Sequence, residues 1–92
     1  MIVALALLAA TAPTVPQLKA QLFGQCSRGA RTGAPPNMQH LIPAVCTCFV
    51  SRISAGKSAG DLQRILRSDA EQAPVGKQCI RDVAQADAAR GR

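Results

Sequence analysis

Cys26, Cys46, Cys48 and Cys79 are the side chains of this sequence best suited to chemistry, and two of them lie one residue apart in the apolar run "AVCTCFV", residues 44–50. Four thiols can make a tetrahedral zinc or copper(I) site, a redox couple, or two disulfides. Structural zinc sites draw their cysteines from turns as close pairs at both ends. Here one close pair exists, and Cys26 and Cys79 stand alone. A copper(I) site would recruit His40, the only histidine. A thioredoxin-type site places two residues between its cysteines within an α/β pattern; one residue intervenes here and no such pattern surrounds it. The expected use is two disulfides, with no metal and no cofactor.

What those cysteines can reach depends on the element that carries them. Met38, Leu41, Ile42, Val45, Phe49, Val50 and Ile53 recur with helical period. At about 100° per residue, with Met38 at zero, Cys46 lies near +80° and Cys48 near −80° of that stripe, roughly on its two flanks. They cannot bridge to each other without a strained backbone, so each faces a different neighbour. Cys26 on the preceding helix and Cys79 on the following one are the partners at hand. The pairs are either Cys26–Cys46 with Cys48–Cys79, or Cys26–Cys48 with Cys46–Cys79. Both sets close loops of about 20 to 33 residues, and each bridge would contribute about 3 kcal/mol, so loop entropy does not choose between them.

The remaining elements follow from the same reading. Val15, Leu18, Leu22 and Cys26 predict a helix from Pro16 to about Cys26, with Pro16 in the first turn, where its missing N–H costs nothing. "SRGARTGAPPN" predicts a loop. Asn37 can cap the central helix, and Pro43 either kinks that helix or marks its true start. Gly56 stops it. Ser58-Ala59-Gly60-Asp61 resembles a capping box with Asp in place of Glu, opening a short helix with Leu62, Ile65 and Leu66 inward. "SDAEQAP" reads as a turn, Pro74 as a first helical turn, and Val75, Cys79, Val83 and Ala86 as the inward stripe of the last helix. There is no strand signal.

The chain has 92 residues, enough for one domain. Residues 1–12, "MIVALALLAATA", read as a secretory signal segment ending in the small-x-small pattern Ala10-Thr11-Ala12, too short to span a membrane. Residues 13–88 form the helical domain, and 89–92 a frayed polar tail. A domain of this size with no Trp, no Tyr and two Phe buries a limited core, which is why covalent staples are expected. Export to the periplasm or beyond supplies the oxidising compartment that disulfides need.

Charge is uneven. From Pro13 to Lys57 the chain holds Lys19, Arg28, Arg31, Arg52 and Lys57 and no acid, and Asp61 is the first acid of the sequence. That half should present a positive surface to an acidic envelope protein or anionic lipid. The lack of interleaved aromatics and the export signal speak against nucleic acid.

No catalytic set is visible. "AGKS", residues 55–58, lacks the upstream glycine and strand of a phosphate loop, since Ser51 occupies the glycine position; it reads as a helix stop followed by a helix start. His40 reads as a helix-edge residue and Asp61 as a helix N-terminal charge. Ser27, Ser51, Ser54 and Ser58 have no base at a recognisable spacing.

"AVCTCFVSRI", then "SAGDLQRIL", then "GKQCIRDV" resembles small secreted or periplasmic four-cysteine helical proteins of Gram-negative bacteria with a CxC helix. The resemblance covers residues 44–83 and implies no reaction. Plant lipid-transfer proteins also carry a CxC helix whose cysteines go to different partners. They have eight cysteines including an adjacent pair, whereas this chain has four and no such pair. The sequence therefore predicts a small all-α domain of four helices held by two disulfides, non-enzymatic, binding an anionic envelope partner. The alternative is a carrier of a small apolar ligand, or a stress-type chaperone.

Overall fold

The computed structural model describes residues 12–91, so the expected signal segment, apart from Ala12, lies outside the described residues. The elements are α1 Val15–Gly33, a 3-10 helix Pro36–Leu41, α2 Ile42–Ser54, α3 Ala59–Ile65 and α4 Asp69–Arg90. There is no strand among the described residues. The four-helix, all-α architecture expected from the sequence is the one observed.

α1 is longer than expected. It opens on a capping box in which the Gln17 N–H donates to Thr14 Oγ1 and the Thr14 N–H donates to Gln17 Oε1 at 2.9 Å. It then runs through Ser27–Thr32, the segment read as loop, despite Gly29 and Gly33. Each glycine costs a helix about 1 kcal/mol relative to alanine, but the far end of this one is tied down. The Gln39 side-chain amide donates to the carbonyls of Arg31 and Ala34, the latter at 2.8 Å, and Arg31 places a positive charge in the last turn. The helix stops where Ala34, extended at φ −85° and ψ 138°, precedes Pro35.

Pro43 marks the start of the central α-helix and does not kink it. An α-helical turn across Pro43 would drive its ring into the Gln39 carbonyl. Residues 36–41 instead tighten to a 3-10 helix, and the Ile42 N–H donates to Gln39 O. Asn37 is thus inside the 3-10 helix and caps nothing. α3 has the expected box: the Asp61 N–H donates to Ser58 Oγ, and the Ser58 N–H donates to Asp61 Oδ2, both at 3.2 Å. The preceding stop is Gly56, the only described residue with positive φ, at 70°.

α4 starts earlier than expected. Ser68 caps it by accepting the Glu71 N–H, and Asp69 and Glu71 place negative charge on its first turn. "SDAEQAP" is therefore helix and not turn, with Pro74 inside it. Pro74 removes one bond, to the Ala70 carbonyl; both residues are on the exposed side of the helix. At the other end α4 continues to Arg90, into the stretch expected as a tail. Of its inward stripe only Cys79 is buried; Val75 and Val83 are half-buried and Ala86 is exposed.

The core joins all four helices: Leu18 and Leu22 from α1, Phe49 and Ile53 from α2, Leu62 and Ile65 from α3, and Cys79 from α4. Phe23, beside the α1 stripe, is 37% exposed. Both disulfides run through α2. Cys26–Cys46 ties it to α1 and Cys48–Cys79 to α4, spanning 20 and 31 residues, which selects the first of the two pairings. Polar contacts support the second staple: Arg52 Nη2 meets Asp82 Oδ2 at 2.7 Å, Arg64 pairs with Glu71, and Gln72 Nε2 donates to the Ile65 carbonyl at 2.6 Å.

Trypsin leaves Cys46 and Cys48 on one peptide, residues 32–52, so the pairing is read by stepwise reduction and alkylation. Cys26 and Cys46 should take the same label, as should Cys48 and Cys79; joint labelling of Cys26 with Cys48 would contradict the fold. The capping box gives a second expectation. The Ser58 backbone N–H holds the Asp61 carboxylate below its ordinary pKa of 3.8, helped by the Ser58 hydroxyl, Arg64 and Lys57. A depressed folded-state pKa means stability that is present above 3.8 and lost as pH falls through the folded value. Asp61→Asn should therefore melt below the unmodified protein at pH 7, with the gap closing toward pH 3; an equal gap at both pH values would refute this.

Candidate functional site: an apolar cleft between α1, α2 and α4

The inward line of α1 changes character along its length. Leu18 and Leu22 fill the core, and the same line continues through Cys26 to Gly29 and Gly33, which have no side chain to fill it. α4 does the same on the other side of α2, where Ala73 and Gly76 face the space that larger residues would close. The result is a cleft of about 660 Å³. It is lined by Ile42, Val45 and Phe49 of α2, which form the floor between α1 and α4, and by Pro35, Met38 and Leu41 in and before the 3-10 helix. Ile80, half exposed, stands on its α4 wall.

The glycines leave parts of both walls bare. A Cβ built on Gly29, Gly33 or Gly76 meets nothing within 4 Å. None of the three has positive φ, so backbone conformation does not demand glycine there. The polar members of the lining are Gln25, Asp69 and Gln72, and no Lys, Arg or His belongs to it. The volume lies within the range of small-ligand pockets, roughly 300–1,000 Å³.

The residues singled out from the sequence fall elsewhere or serve the frame. Cys26 contributes to the cleft wall while bonded to Cys46; all four cysteines are paired. The basic residues do not gather. Relative to the buried side of α1, Lys19 lies roughly 80° one way, Arg28 roughly 100° the other, and Arg31 points outward. Arg52 is engaged by Asp82 across α2 and α4, and that contact, the largest cause, lowers the Asp82 pKa. Lys57 lies exposed between α2 and α3.

His40 does meet an acid: its Nε2 is 3.5 Å from Asp87 Oδ2. Both side chains are well exposed, and neither lines the cleft. The contact ties the 3-10 helix to the far end of α4. Ser58 and Asp61 are engaged in capping α3, so "AGKS" is a helix stop followed by a helix start, as read from the sequence. Ser54 Oγ donates to the Val50 carbonyl at 2.6 Å. Among the described residues no three His, Cys, Asp or Glu side chains gather as a metal set, and no helix is long and apolar enough to cross a membrane.

Fold and cleft together define a small, all-α, doubly disulfide-bonded domain with an apolar cleft between three of its helices. No protein-family model, curated protein or solved structure matches the chain.

The sequence does not display the cleft, because the glycines and prolines of residues 27–37, which include part of its wall, carry the signature of a loop. The available signal was the continuation of the Leu18, Leu22, Cys26 spacing into Gly29 and Gly33. The open space at the glycines sets an expectation. Gly76→Ala adds a methyl group without a clash and removes backbone freedom from the unfolded chain, so it should stabilise by roughly 0.5–1 kcal/mol in chemical denaturation. A loss of stability would mean that the space is closed.

Proposed function

We propose that this protein is an exported, non-enzymatic binding protein that carries a small apolar ligand in the cleft between α1, α2 and α4. The observation that supports this most is the pairing of an apolar floor with walls that carry little or no side chain, Gly29 and Gly33 on one side and Ala73 and Gly76 on the other. Exposed apolar clefts cost a small domain stability, since they leave transferable surface in contact with water. Helix-stabilising alanines would fit without a clash at Gly29, Gly33 and Gly76, so glycine there forgoes stability and preserves space.

The volume also bears on what enters. A helix about 10 Å across has a cross-section of roughly 80 Å². A cleft of about 660 Å³ would bury only roughly five or six residues of one. A single alkyl chain or a compact hydrophobe fits it better. The two disulfides are compatible with an oxidising compartment outside the cytoplasm, which is where the expected signal segment would send the chain. The anionic-partner reading has less support: Arg52 is already ion-paired, and Lys19, Arg28 and Arg31 point in different directions.

Titration with a neutral apolar fluorophore, N-phenyl-1-naphthylamine, should give one saturable site per chain with blue-shifted emission. Gly76→Leu and Gly29→Leu place a side chain in the cleft and should weaken that binding at least about tenfold, equivalent to about 1.4 kcal/mol. Their melting temperatures should not fall, because leucine is the better helix former. Absence of saturable binding, or binding indifferent to both leucines, would sink the proposal.

A further inference from the structure

The cleft is not uniformly apolar: Asp69 and Gln72, one turn apart at the start of α4, put polar atoms into its lining. Which polar atoms remain free there is decided by the surrounding hydrogen bonds. The Gln72 amide nitrogen gives one N–H to the Ile65 carbonyl at 2.6 Å, which leaves its oxygen free to accept and its second N–H free to donate, so Gln72 can meet either kind of head group and the choice falls to Asp69. Asp69 forms no ion pair and no side-chain hydrogen bond among the described residues, and its carboxylate can only accept. The helix N-terminus that would attract an anion already carries Asp69 and Glu71. No cationic side chain lines the cleft.

Building on the apolar-ligand reading, we infer that the cleft takes a single-chain amphiphile whose head group donates hydrogen bonds, an alkyl ammonium in preference to an alkyl carboxylate. The chain lies over Ile42, Val45 and Phe49, and the head meets Asp69 Oδ and Gln72 Oε1. This preference runs against the net charge of +6, which by itself would favour the carboxylate. The distinction is local: the charge that counts is the one within a few ångströms of the head group, and beyond about 8 Å physiological salt screens the rest.

Calorimetric titration with decylamine, decanol and decanoate at 0.15 M salt separates these contributions. Decylamine should bind tightest and decanoate weakest, with a spread of roughly threefold to tenfold, the size expected of one exposed charge that attracts the amine and repels the carboxylate. Asp69→Asn should bring amine and carboxylate within about twofold of each other; decanol should still bind, since the asparagine oxygen accepts its hydroxyl, which shows that the cleft is intact. Asp69→Glu should keep the preference for the amine. Decanoate binding as tightly as decylamine, or a preference that survives Asp69→Asn, would overturn this inference while leaving the apolar cleft standing. Failure of all three ligands to bind would remove the cleft reading and this inference with it.

Discussion

α1, α4 and the 3-10 helix all pack on α2, and α2 is held by two cysteines separated by a single residue. Residues two apart on an α-helix point about 200° from one another, so one short sequence feature directs a covalent bond to each side of one helix. Cys46 goes to α1 and Cys48 to α4. The two neighbours are then fixed on opposite flanks of α2, and the apolar face left between them becomes the floor of the cleft. The core that accompanies this is small, one or two residues from each helix, and contains no Trp or Tyr. Such a core leaves little margin in a domain of this length, and the loops closed by the disulfides supply what packing does not.

The same staples explain how the walls can contain so little side chain. Two helices with glycine on their facing surfaces would ordinarily slide inward until the space closed, because an unfilled gap forfeits dispersion contacts. Here α1 is bonded to α2 at Cys26, near the point where its inward line changes from leucine to glycine, and α4 at Cys79, next to Ile80. Outside those anchors Gln39 holds the end of α1, and His40 meets Asp87 near the end of α4. Anchored walls keep apart without filling the space between them. The stability given up at the glycines is offset by bonds elsewhere in the frame.

Charge follows the frame as well. Five basic residues and no acid between Pro13 and Lys57 point to a positive surface when read along the chain. Folding disperses them: α1 turns three in different directions, and α4 brings Asp82 to the fourth. The charged group that reaches the cleft is an acid, Asp69, from the half of the chain where acids and bases are nearly balanced. Net charge by segment describes the long-range field, whereas a binding site responds to the one or two groups within contact distance.

Much of the frame was legible in the residues themselves. The helical period of the apolar positions, the Ser58–Asp61 capping box, the stop at Gly56 and the placement of Cys46 and Cys48 on opposite flanks of α2 are all local. They depend on neighbours within a few residues, where helix geometry leaves little freedom. The misread boundaries fell where a distant group overrides a local preference. Glycines and prolines between Ser27 and Asn37 favour a loop, but the Gln39 amide and the nearby disulfide keep residues 27–33 helical. Pro74 favours a helix start, but the Ser68 cap begins α4 earlier and carries it through. The choice between two disulfide pairings of similar loop length, the union of Gly29 and Gly33 with the distant Gly76 in one cleft, and the arrival of Asp69 in its lining were decided only in three dimensions. Each is a property of which faces meet, and that depends on how the helices cross and not on the order of residues along any one of them.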